Sequence, residues 1–245
     1  MTGRTRLDLA IEARGLLPSR ARARDAILRG TVTVNGVPAR KPNQMVGEAD
    51  GIELDDPAAG YVSRAALKLI AGLDAGDIAV EGKTCLDVGA STGGFTQVLL
   101  ERGAARVFAV DVGHGQLNER IRNDNKVVVL ESQNARDLTP ALIPDAIDLL
   151  ACDVSFVSVT KVLDAPLSLC RPGADAIILI KPQFEVGREH VGKGGIVGDG
   201  AAIETAAADV IAFMAAHGFA HRLSVPSPIA GGDGNREIVA VFRTQ

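Results

Sequence analysis

A run of aliphatic residues that ends in a lysine and a proline is the strongest constraint on how this 245-residue chain can fold. Ile177 to Ile180 are aliphatic at every position, which is typical of a central strand in a parallel sheet with both faces covered. Pro182 cannot donate to a neighbouring strand, so the strand is predicted to end at Lys181. Lys181 then lies at the carboxyl edge of the sheet, where open α/β sheets bind ligands. A lysine there either accepts a proton after desolvation or only extends its ammonium group into solvent.

Strand-like and helix-like segments alternate through the last three quarters of the chain. Strands are predicted near residues 84–88, 106–111, 126–131, 147–152, 175–181, 219–225 and 237–243, and helices over 95–102, 157–169 and 201–216. A further helix is predicted to begin at Ser63, with Leu67, Ile70 and Leu73 on one face and Arg64 and Lys68 on another. This alternation predicts an α/β domain in which helices cover both faces of a parallel sheet.

The first 42 residues differ from the rest of the chain in charge. They contain nine Lys/Arg and three Asp/Glu, whereas the remainder contains 17 Lys/Arg and 27 Asp/Glu. A basic segment gains affinity for a polyanion by releasing counterions from phosphates, so this segment is predicted to bind one. The small, polar, turn-rich residues 55–60 predict a linker. We therefore predict one domain over residues 1–54 and a second over 61–245.

The predicted first domain combines two helices with a hairpin. The first helix is short and ends before Pro18, and the second runs from an N-cap at Ser19 to Gly30. Ile27 and Leu28 are expected to face the core. A strand-like segment on each side of Asn35-Gly36 predicts a tight hairpin, because this dipeptide adopts the positive φ angles of a primed turn.

Composition excludes several classes of protein. No apolar run approaches the roughly 18 residues of a membrane-spanning helix, and no signal-peptide core is present, so a cytoplasmic protein is expected. The three cysteines lack Cys-x-x-Cys spacing, which supports neither a disulfide framework nor a zinc site. No metal site is predicted. The 47 % hydrophobic content is sufficient for an ordinary globular core.

A glycine-rich loop follows the first strand of the second domain. Residues 86–95 are predicted to form a strand end, a turn and a helix start, and Asp111 ends the next strand, where an acid can bind ribose hydroxyls. The Gly-x-x-x-Gly-Gly spacing departs from Gly-x-Gly-x-x-Gly and favours S-adenosylmethionine over NAD. Asp87 is expected to face a cationic ligand. The predicted cofactor-binding residues are Asp87, Gly89, Ser91, Thr92, Gly93, Gly94, Phe95, Asp111 and Asp153.

Several of these motifs resemble known families. The patterns at 6–8, 19–20, 27–30 and 32–36 resemble the S4 type of RNA-binding domain, over about the first fifth of the chain. The segments 61–64, 87–96, 111–117, 152–156, 181–185, 227–229, 231–232 and 235–237 resemble the TlyA family, within the FtsJ class of RNA ribose methyltransferases. The resemblance implies a Rossmann-like α/β fold with a seven-stranded, mostly parallel sheet, preceded by a small α+β RNA-binding domain.

The resemblance also implies a catalytic tetrad. The FtsJ class uses lysine, aspartate, lysine and glutamate, and the matching positions are Lys68, Asp153, Lys181 and Glu237. A ribose 2'-hydroxyl must lose its proton as it attacks the methyl group, and a neutral amine can accept that proton. Burial and a second ammonium group favour the neutral amine, whereas the two carboxylates oppose it. Lys181 is the implied proton acceptor, Asp153 orients it, and Lys68 and Glu237 orient the hydroxyl; which lysine is neutral stays open.

The implied reaction is 2'-O-methylation of a ribose, from the resemblance that of a cytidine, in ribosomal RNA or a ribosomal subunit. The residues predicted to contact RNA are Arg4, Arg6, Arg20, Arg24, Arg64, Arg188 and Lys193. Residues 185–196 either form a mobile loop that closes on RNA or a plain surface loop, and Tyr61 and Phe184 either stack on a displaced base or belong to the core. Two alternatives are a non-catalytic factor for RNA binding or ribosome assembly, and a haemolysin, which would have to insert into a membrane.

Overall fold

The computed structural model describes residues 3–232 and 234–245, and the chain divides into two compact units, Met1–Gly60 and Tyr61–Gln245. The first unit contains strands β1 (Thr5–Arg6), β2 (Val32–Val34), β3 (Val37–Pro38), β4 (Met45–Val46) and β5 (Ile52–Leu54), with helices α1 (Leu7–Ala13) and α2 (Arg20–Arg29). Its strands form a two-stranded sheet, β1-β4, and a three-stranded sheet, β3-β2-β5.

Local sequence signals account for α2 and for the hairpin. Ser19 Oγ accepts a hydrogen bond from the Arg22 amide, and Gly30 ends the helix at φ 82°. Asn35 and Gly36 have φ angles of 51° and 76°, which confirms the predicted turn between β2 and β3. The expectation for Leu28 was wrong, because Leu28 is 62 % exposed. Successive helix positions are about 100° apart, so Ile27 fills the inner face and Leu28 points away from it.

A buried carboxylate holds the start of the chain to α2. Asp8 is completely buried, and its two carboxylate oxygens lie 2.9 Å from Arg6 Nε and 2.9 Å from Arg20 Nε. The hydrogen bond from Arg6 and the contact with Arg20 lower the pKa of Asp8 to about 2. Arg6 and Arg20, which the sequence assigns to RNA contacts, therefore already have an intramolecular partner.

We expect Asp8→Asn to destabilise the first unit at pH 7 and to have a much smaller effect on its stability near pH 2. The pKa of Asp8 in the fold is about 2, below its ordinary value of 3.8, so its stabilising contribution is complete above pH 4 and is lost as pH falls through 2. Hydrogen exchange of peptides from α1 and α2 during urea unfolding, at several pH values, measures the difference between variant and wild type. Glu12→Gln, on the exposed face of α1, is the matched control. A difference between Asp8→Asn and wild type that does not change with pH would contradict the charge argument.

The second unit is a seven-stranded α/β domain, and this confirms the predicted fold. Its strands are β6 (Thr84–Val88), β7 (Arg106–Val110), β8 (Val127–Leu130), β9 (Ile147–Cys152), β10 (Cys170–Ile180), β11 (Phe219–Pro226) and β12 (Ile238–Thr244). Its helices are α3 (Ala66–Gly76), α4 (Gly94–Glu101), α5 (Glu119–Arg122), α6 (Asp164–Ser168), α7 (Pro182–Glu185) and α8 (Gly200–Ala216). The strand order is β11-β12-β10-β9-β6-β7-β8. All neighbours are parallel except β12, which is antiparallel to both β10 and β11.

The aliphatic run in β10 is buried on both faces of this sheet. Ile177 and Leu179 belong to one apolar cluster, together with residues of α3 and α4. Ile178 and Ile180 belong to the cluster on the other face, together with residues of α8. All four side chains are fully buried, which explains why the strand has no polar alternation.

Three predicted element boundaries were wrong. Residues 157–169 form a 3-10 turn, Val159–Lys161, and the short helix α6 instead of one helix. Pro166 has no N–H to donate four residues back, so it fits the first turn of α6 but not the interior of a longer helix. α3 begins at Ala66, because Ser63 Oγ accepts from the Ala65 amide in a preceding turn. β10 begins at Cys170 instead of 175.

The residues that α3 buries also differ from the prediction. Leu69 and Leu73 are buried, whereas Leu67 and Ile70 are half-buried. Lys68, predicted on a different face from Leu67, Ile70 and Leu73, is buried as well. In the part of the chain that the structure describes, no helix has the length and apolar character needed to cross a bilayer.

Candidate active site

Chain direction brings four separate segments to one edge of the sheet. The parallel strands β6, β7, β9 and β10 all end at this edge, so Gly89, Asp111, Asp153 and Lys181 follow them there. β12 runs in the opposite direction, and its first residue therefore lies at the same edge directly after Glu237. A functional site at this edge therefore combines residues that are far apart in the sequence of the domain.

Lys68, Asp153, Lys181 and Glu237 lie in direct contact. Lys181 Nζ is 2.7 Å from Asp153 Oδ1, and Lys68 Nζ is 3.4 Å from Asp153 Oδ2. Lys68 Nζ also lies 2.6 Å from Glu237 Oε2. The Asp153 carboxylate is thus placed between two amino groups, and Glu237 lies beside the second of them.

These four side chains are almost fully removed from solvent. Lys68 is 8 % exposed, Lys181 6 %, Asp153 11 % and Glu237 3 %. Burying a single charge of this kind is costly, whereas two amines and two carboxylates in contact compensate one another. Gly231 makes room for this packing, since a Cβ atom there would lie 2.7 Å from Glu237 Oε1.

Three oxygen atoms surround the Lys181 amine. In addition to Asp153 Oδ1, the amine donates to Ser155 Oγ at 2.8 Å and to the Asp153 carbonyl oxygen at 3.3 Å. Ser155 itself is exposed. The amine is therefore held at the end of β10 from one side, by the loop that follows β9.

The glycine-rich loop after β6 packs directly on the loop that carries Asp153. Gly89 has a φ of 87°, and a Cβ atom there would lie 3.1 Å from the carbonyl carbon and oxygen of Asp153 and from the Val154 amide nitrogen. The Gly89 amide donates to the Val110 carbonyl, which fixes this loop to the end of β7. Glycine is required here by both backbone angle and close approach.

Asp111 ties the glycine-rich loop to the segment after β7. Its Oδ2 accepts from the Ser91 amide at 2.8 Å, and its Oδ1 accepts from the Gly113 amide at 2.7 Å. Each carboxylate oxygen has a second lone pair, so the bound carboxylate can still accept from a ligand hydroxyl.

Two adjoining cavities open at this edge. The first has a volume of about 290 Å³, and its wall contains all four of the contacting charged residues. The second has a volume of about 540 Å³ and is lined by Asp111 together with the apolar side chains of Val112 and Val162. Five residues line both cavities: Gly89, Ser91, Asp153, Ser155 and Phe156. A ligand that extends from one cavity into the other would pass Asp153.

Asp87 is not part of the wall of either cavity. It is completely buried below the glycine-rich loop, where its Oδ2 accepts from Thr96 Oγ1 at 2.6 Å. Burial raises the pKa of Asp87 to about 7, and its Oδ1 has no hydrogen-bond partner. Its contact with Thr96 joins the end of β6 to α4.

The other predicted cofactor residues occupy different positions around the loop. Ser91, Thr92, Gly94 and Phe95 line the first cavity. Gly93 does not, because its Cα packs toward Leu117, whose Cδ1 would lie 2.9 Å from an added Cβ atom.

The predicted RNA-contacting residues lie on both units. Arg4 and Arg24 are exposed on the first unit. Arg188 and Lys193 are exposed in the second unit, on two 3-10 turns between α7 and α8. Arg64 is half-buried before α3.

Two residues at the site, Phe156 and Ser155, had no role assigned from the sequence. Phe156 is 90 % exposed with a φ of 65°, and its ring centroid lies 5.2 Å from that of Phe184. A large apolar residue held exposed in the left-handed region is strained, and such strain concentrates at functional sites. Ser155 is the second. The segment from Asp153 to Phe156 was recognised as part of a family motif. That motif did not predict the exposure of either residue or the backbone angle of Phe156.

Each of the two units matches the model of a known protein family. The family model described as FtsJ-like methyltransferase matches residues 61–244, and the one described as S4 domain matches residues 5–52. Among curated proteins, the 16S/23S rRNA (cytidine-2'-O)-methyltransferase TlyA of Mycobacterium tuberculosis is 45 % identical, over 100 % of this chain and 92 % of its own length. Hemolysin A of Brachyspira hyodysenteriae is 42 % identical, over 97 % of this chain and 99 % of its own length.

A solved structure resembles the complete chain. A Streptococcus thermophilus protein that carries a hemolysin name is 35 % identical, with a TM-score of 0.78, over 100 % of this chain and 90 % of that one. The resemblance stated from sequence motifs is thus confirmed.

Proposed function

Since this chain belongs to the FtsJ-like methyltransferase family and also contains an S4 domain, we propose that it transfers the methyl group of S-adenosylmethionine to a ribose 2'-hydroxyl of ribosomal RNA. The observation that carries the proposal is the buried contact of Lys68, Asp153, Lys181 and Glu237 at the cavity wall. By the relative's name we further propose a cytidine as the target, and the cytoplasm, where ribosomes assemble, as the location.

The two cavities fit S-adenosylmethionine. The second combines the Asp111 carboxylate, which can accept from ribose hydroxyls, with apolar Val112 and Val162, which suit a purine ring. The close approach at Gly89 lets a ligand lie against the backbone next to Asp153. When bound, the cofactor supplies a methyl group activated by a positively charged sulfur.

Charge balance supports a basic role for a lysine of this site. Two ammonium groups and two carboxylates cancel, so one neutral lysine leaves a net charge of −1 that complements the positive sulfur. The neutral amine then accepts the proton of the attacking hydroxyl. Both lysines line the first cavity, and we assign this role to Lys181 because it contacts one carboxylate and the exposed Ser155, whereas Lys68 is held between the two carboxylates of Asp153 and Glu237. Lys68 and Glu237 orient the hydroxyl, and Asp153 orients Lys181.

RNA recognition in this proposal combines phosphate contacts with one stacking surface. Arg4, Arg6, Arg20 and Arg24 of the S4 domain, with Arg64, Arg188 and Lys193 of the second unit, supply positive charge for phosphates. The aromatic pair Phe156 and Phe184 supplies apolar rings next to the first cavity. The remaining aromatic candidate, Tyr61, packs against the apolar cluster of α3 and α4.

The decisive experiment is transfer of labelled methyl from S-adenosylmethionine to ribosomal subunits that lack the modification, followed by alkaline hydrolysis. A ribose-methylated linkage resists alkali, so label in a resistant dinucleotide supports the proposal. Label in single nucleotides would indicate base methylation. Absence of label on subunits and on free RNA, although the protein binds S-adenosylmethionine, would favour a binding or assembly factor.

We expect Phe156→Ala to raise the KM for RNA by roughly 5- to 150-fold, because stacking on one base contributes about 1–3 kcal/mol. The melting temperature should stay at the wild-type value, since the ring is 90 % exposed. Calorimetric affinity for S-adenosylhomocysteine measures any separate contact of the ring with the cofactor, because Phe156 lines both cavities. Leu142→Ala, at an exposed apolar residue outside both cavities, is the control. Steady-state kinetics on ribosomal subunits measure the effect, and an unchanged KM for RNA would contradict a stacking role.

A further inference from the structure

We propose that the Ser155 hydroxyl relays the proton from the RNA 2'-hydroxyl to Lys181. This inference rests on the proposed function, and it adds a residue to the implied tetrad. Three observations carry it: the contact between the two side chains, the difference in chemistry among the oxygens around Lys181, and the exposure of Ser155 to both cavities.

The contact is short and direct. Lys181 Nζ lies 2.8 Å from Ser155 Oγ, closer than the 3.3 Å to the Asp153 carbonyl oxygen. Lys181 is buried, whereas Ser155 is exposed. Ser155 therefore lies at the boundary between the buried Lys181 amine and the open cavity, from which a ligand would give its proton.

The oxygens around Lys181 differ in what they can do. An ionised carboxylate and a carbonyl only accept hydrogen bonds, whereas a hydroxyl accepts and donates. An ammonium group donates to all three. A neutral amine has a lone pair, which needs a donor, and of the three oxygens only Ser155 Oγ can supply one. Ser155 can thus pair with Lys181 before and after the lysine takes up a proton.

Ser155 also reaches the place where both ligands would lie. It lines the cavity that contains the tetrad and the larger cavity that contains Asp111. Phe156, held in the left-handed region at φ 65°, follows it directly and turns the chain at this point. A hydroxyl at this position can accept a hydrogen bond from a ribose hydroxyl while it donates to Lys181.

Two protons move in the proposed transfer step. The RNA 2'-hydroxyl gives its proton to Ser155 Oγ, and Ser155 gives its own proton to the lone pair of Lys181. The ribose oxygen forms its bond to the methyl carbon, and the carbon–sulfur bond breaks with its electron pair remaining on sulfur. Lys181 is left as an ammonium group and Ser155 as a neutral hydroxyl. Lys181 then releases its proton to water before the next turnover.

The competing arrangement is direct transfer, in which the lone pair of Lys181 faces the 2'-hydroxyl and Ser155 only orients the amine. The two arrangements differ in the number of protons that move together. Two protons move in the relay, and one moves in direct transfer. A proton inventory, in which the rate is followed against the fraction of heavy water, distinguishes a curved dependence from a linear one.

The experiment uses the full chain with ribosomal subunits as substrate, in single turnover so that product release does not limit the rate. We expect Ser155→Ala to lower the rate of methyl transfer about 10- to 100-fold, less than the roughly 100- to 10,000-fold contribution of a general base, because Lys181 remains as a base. The curved inventory of the wild type should become linear. Ser155→Thr retains the hydroxyl and should stay within about threefold of the wild type, with a curved inventory.

Two measurements separate this role from a change in folding or binding. Calorimetric affinity for S-adenosylhomocysteine should be the same in Ser155→Ala and the wild type. Ser168→Ala, at an exposed serine whose hydroxyl donates to the Ala165 carbonyl, should leave the transfer rate unchanged. A Ser155→Ala variant with lowered cofactor affinity would assign Ser155 to cofactor binding and overturn the relay.

The outcomes also distinguish the relay from the proposed function. A linear inventory in the wild type, or a Ser155→Ala variant at the wild-type rate, overturns the relay while ribose methylation stands. A slow Ser155→Ala variant that keeps a curved inventory overturns it as well. If the wild type transfers no methyl to RNA, the proposed function fails first.

Discussion

Replacing Lys181 with alanine is expected to reduce methyl transfer to RNA by roughly 100- to 10,000-fold, the range associated with loss of a general base. The amine lies 2.7 Å from Asp153 and at the wall of the cavity, where a reacting hydroxyl would be placed. Affinity for S-adenosylmethionine should remain within a few-fold of the wild type, because the larger cavity does not include Lys181. Single-turnover transfer and calorimetry measure the two quantities.

Lys181→Arg separates the role of the proton from the role of the charge. A guanidinium group keeps the positive charge beside Asp153 but cannot lose a proton in a protein. We therefore expect this variant to be as slow as Lys181→Ala. Lys126→Ala, which removes an exposed lysine that lines neither cavity, should transfer methyl at the wild-type rate. Rapid transfer by Lys181→Arg would show that charge suffices and would remove Lys181 as the base.

Gly89→Ala is expected to impair both cofactor binding and methyl transfer, with a larger loss in transfer. An added Cβ atom would lie 3.1 Å from three backbone atoms of Asp153 and Val154, which cannot rotate away as a side chain does. The φ of 87° adds the cost of the left-handed region, about 1–2 kcal/mol. The loop must shift, and Asp153 shifts with it. We expect at least a tenfold loss of affinity for S-adenosylmethionine, about 1.4 kcal/mol, and a greater fall in the transfer rate.

Gly173→Ala is the matched control for this prediction. Gly173 has a similar φ of 79°, but nothing lies within 4 Å of the position that a Cβ atom would occupy. This variant therefore carries the cost of the backbone angle without the collision. It should lose stability in urea unfolding and keep its cofactor affinity. Equal effects of Gly89→Ala and Gly173→Ala on cofactor affinity would mean that backbone strain, and not contact with Asp153, explains the loss.

Local signals in the sequence were sufficient for the α/β class of the second unit. The uninterrupted aliphatic run of β10 predicts a strand covered on both faces, and Ile177 and Ile178 are indeed buried in separate clusters. The position of Lys181 at the strand end follows from Pro182, which begins α7. Glycine spacing and the acid at Asp111 predict a nucleoside site, because turn geometry and strand direction are properties of short segments.

Motif resemblance, and not physical pattern, identified Lys68 and Glu237. The helical pattern of α3 only separated Lys68 from the apolar face, and it did not predict that Lys68 is 8 % exposed and lies 2.6 Å from Glu237. The two residues are far apart in sequence, and no local pattern contains their contact. The antiparallel direction of β12 brings the start of the last strand to the edge where the other strands end.

The sequence by itself determined the strands, the glycine-rich turn and the residue types available for chemistry, because each depends on a few neighbouring residues. Only the tertiary structure decided which of them touch. It removed Asp87 from the cavity walls and bound it to Thr96, and it brought Ser155 to within 2.8 Å of Lys181. It also exposed Phe156 at a φ of 65°. Burial, close approach and left-handed strain arise from the packing of distant segments, so no single segment of the sequence contains them.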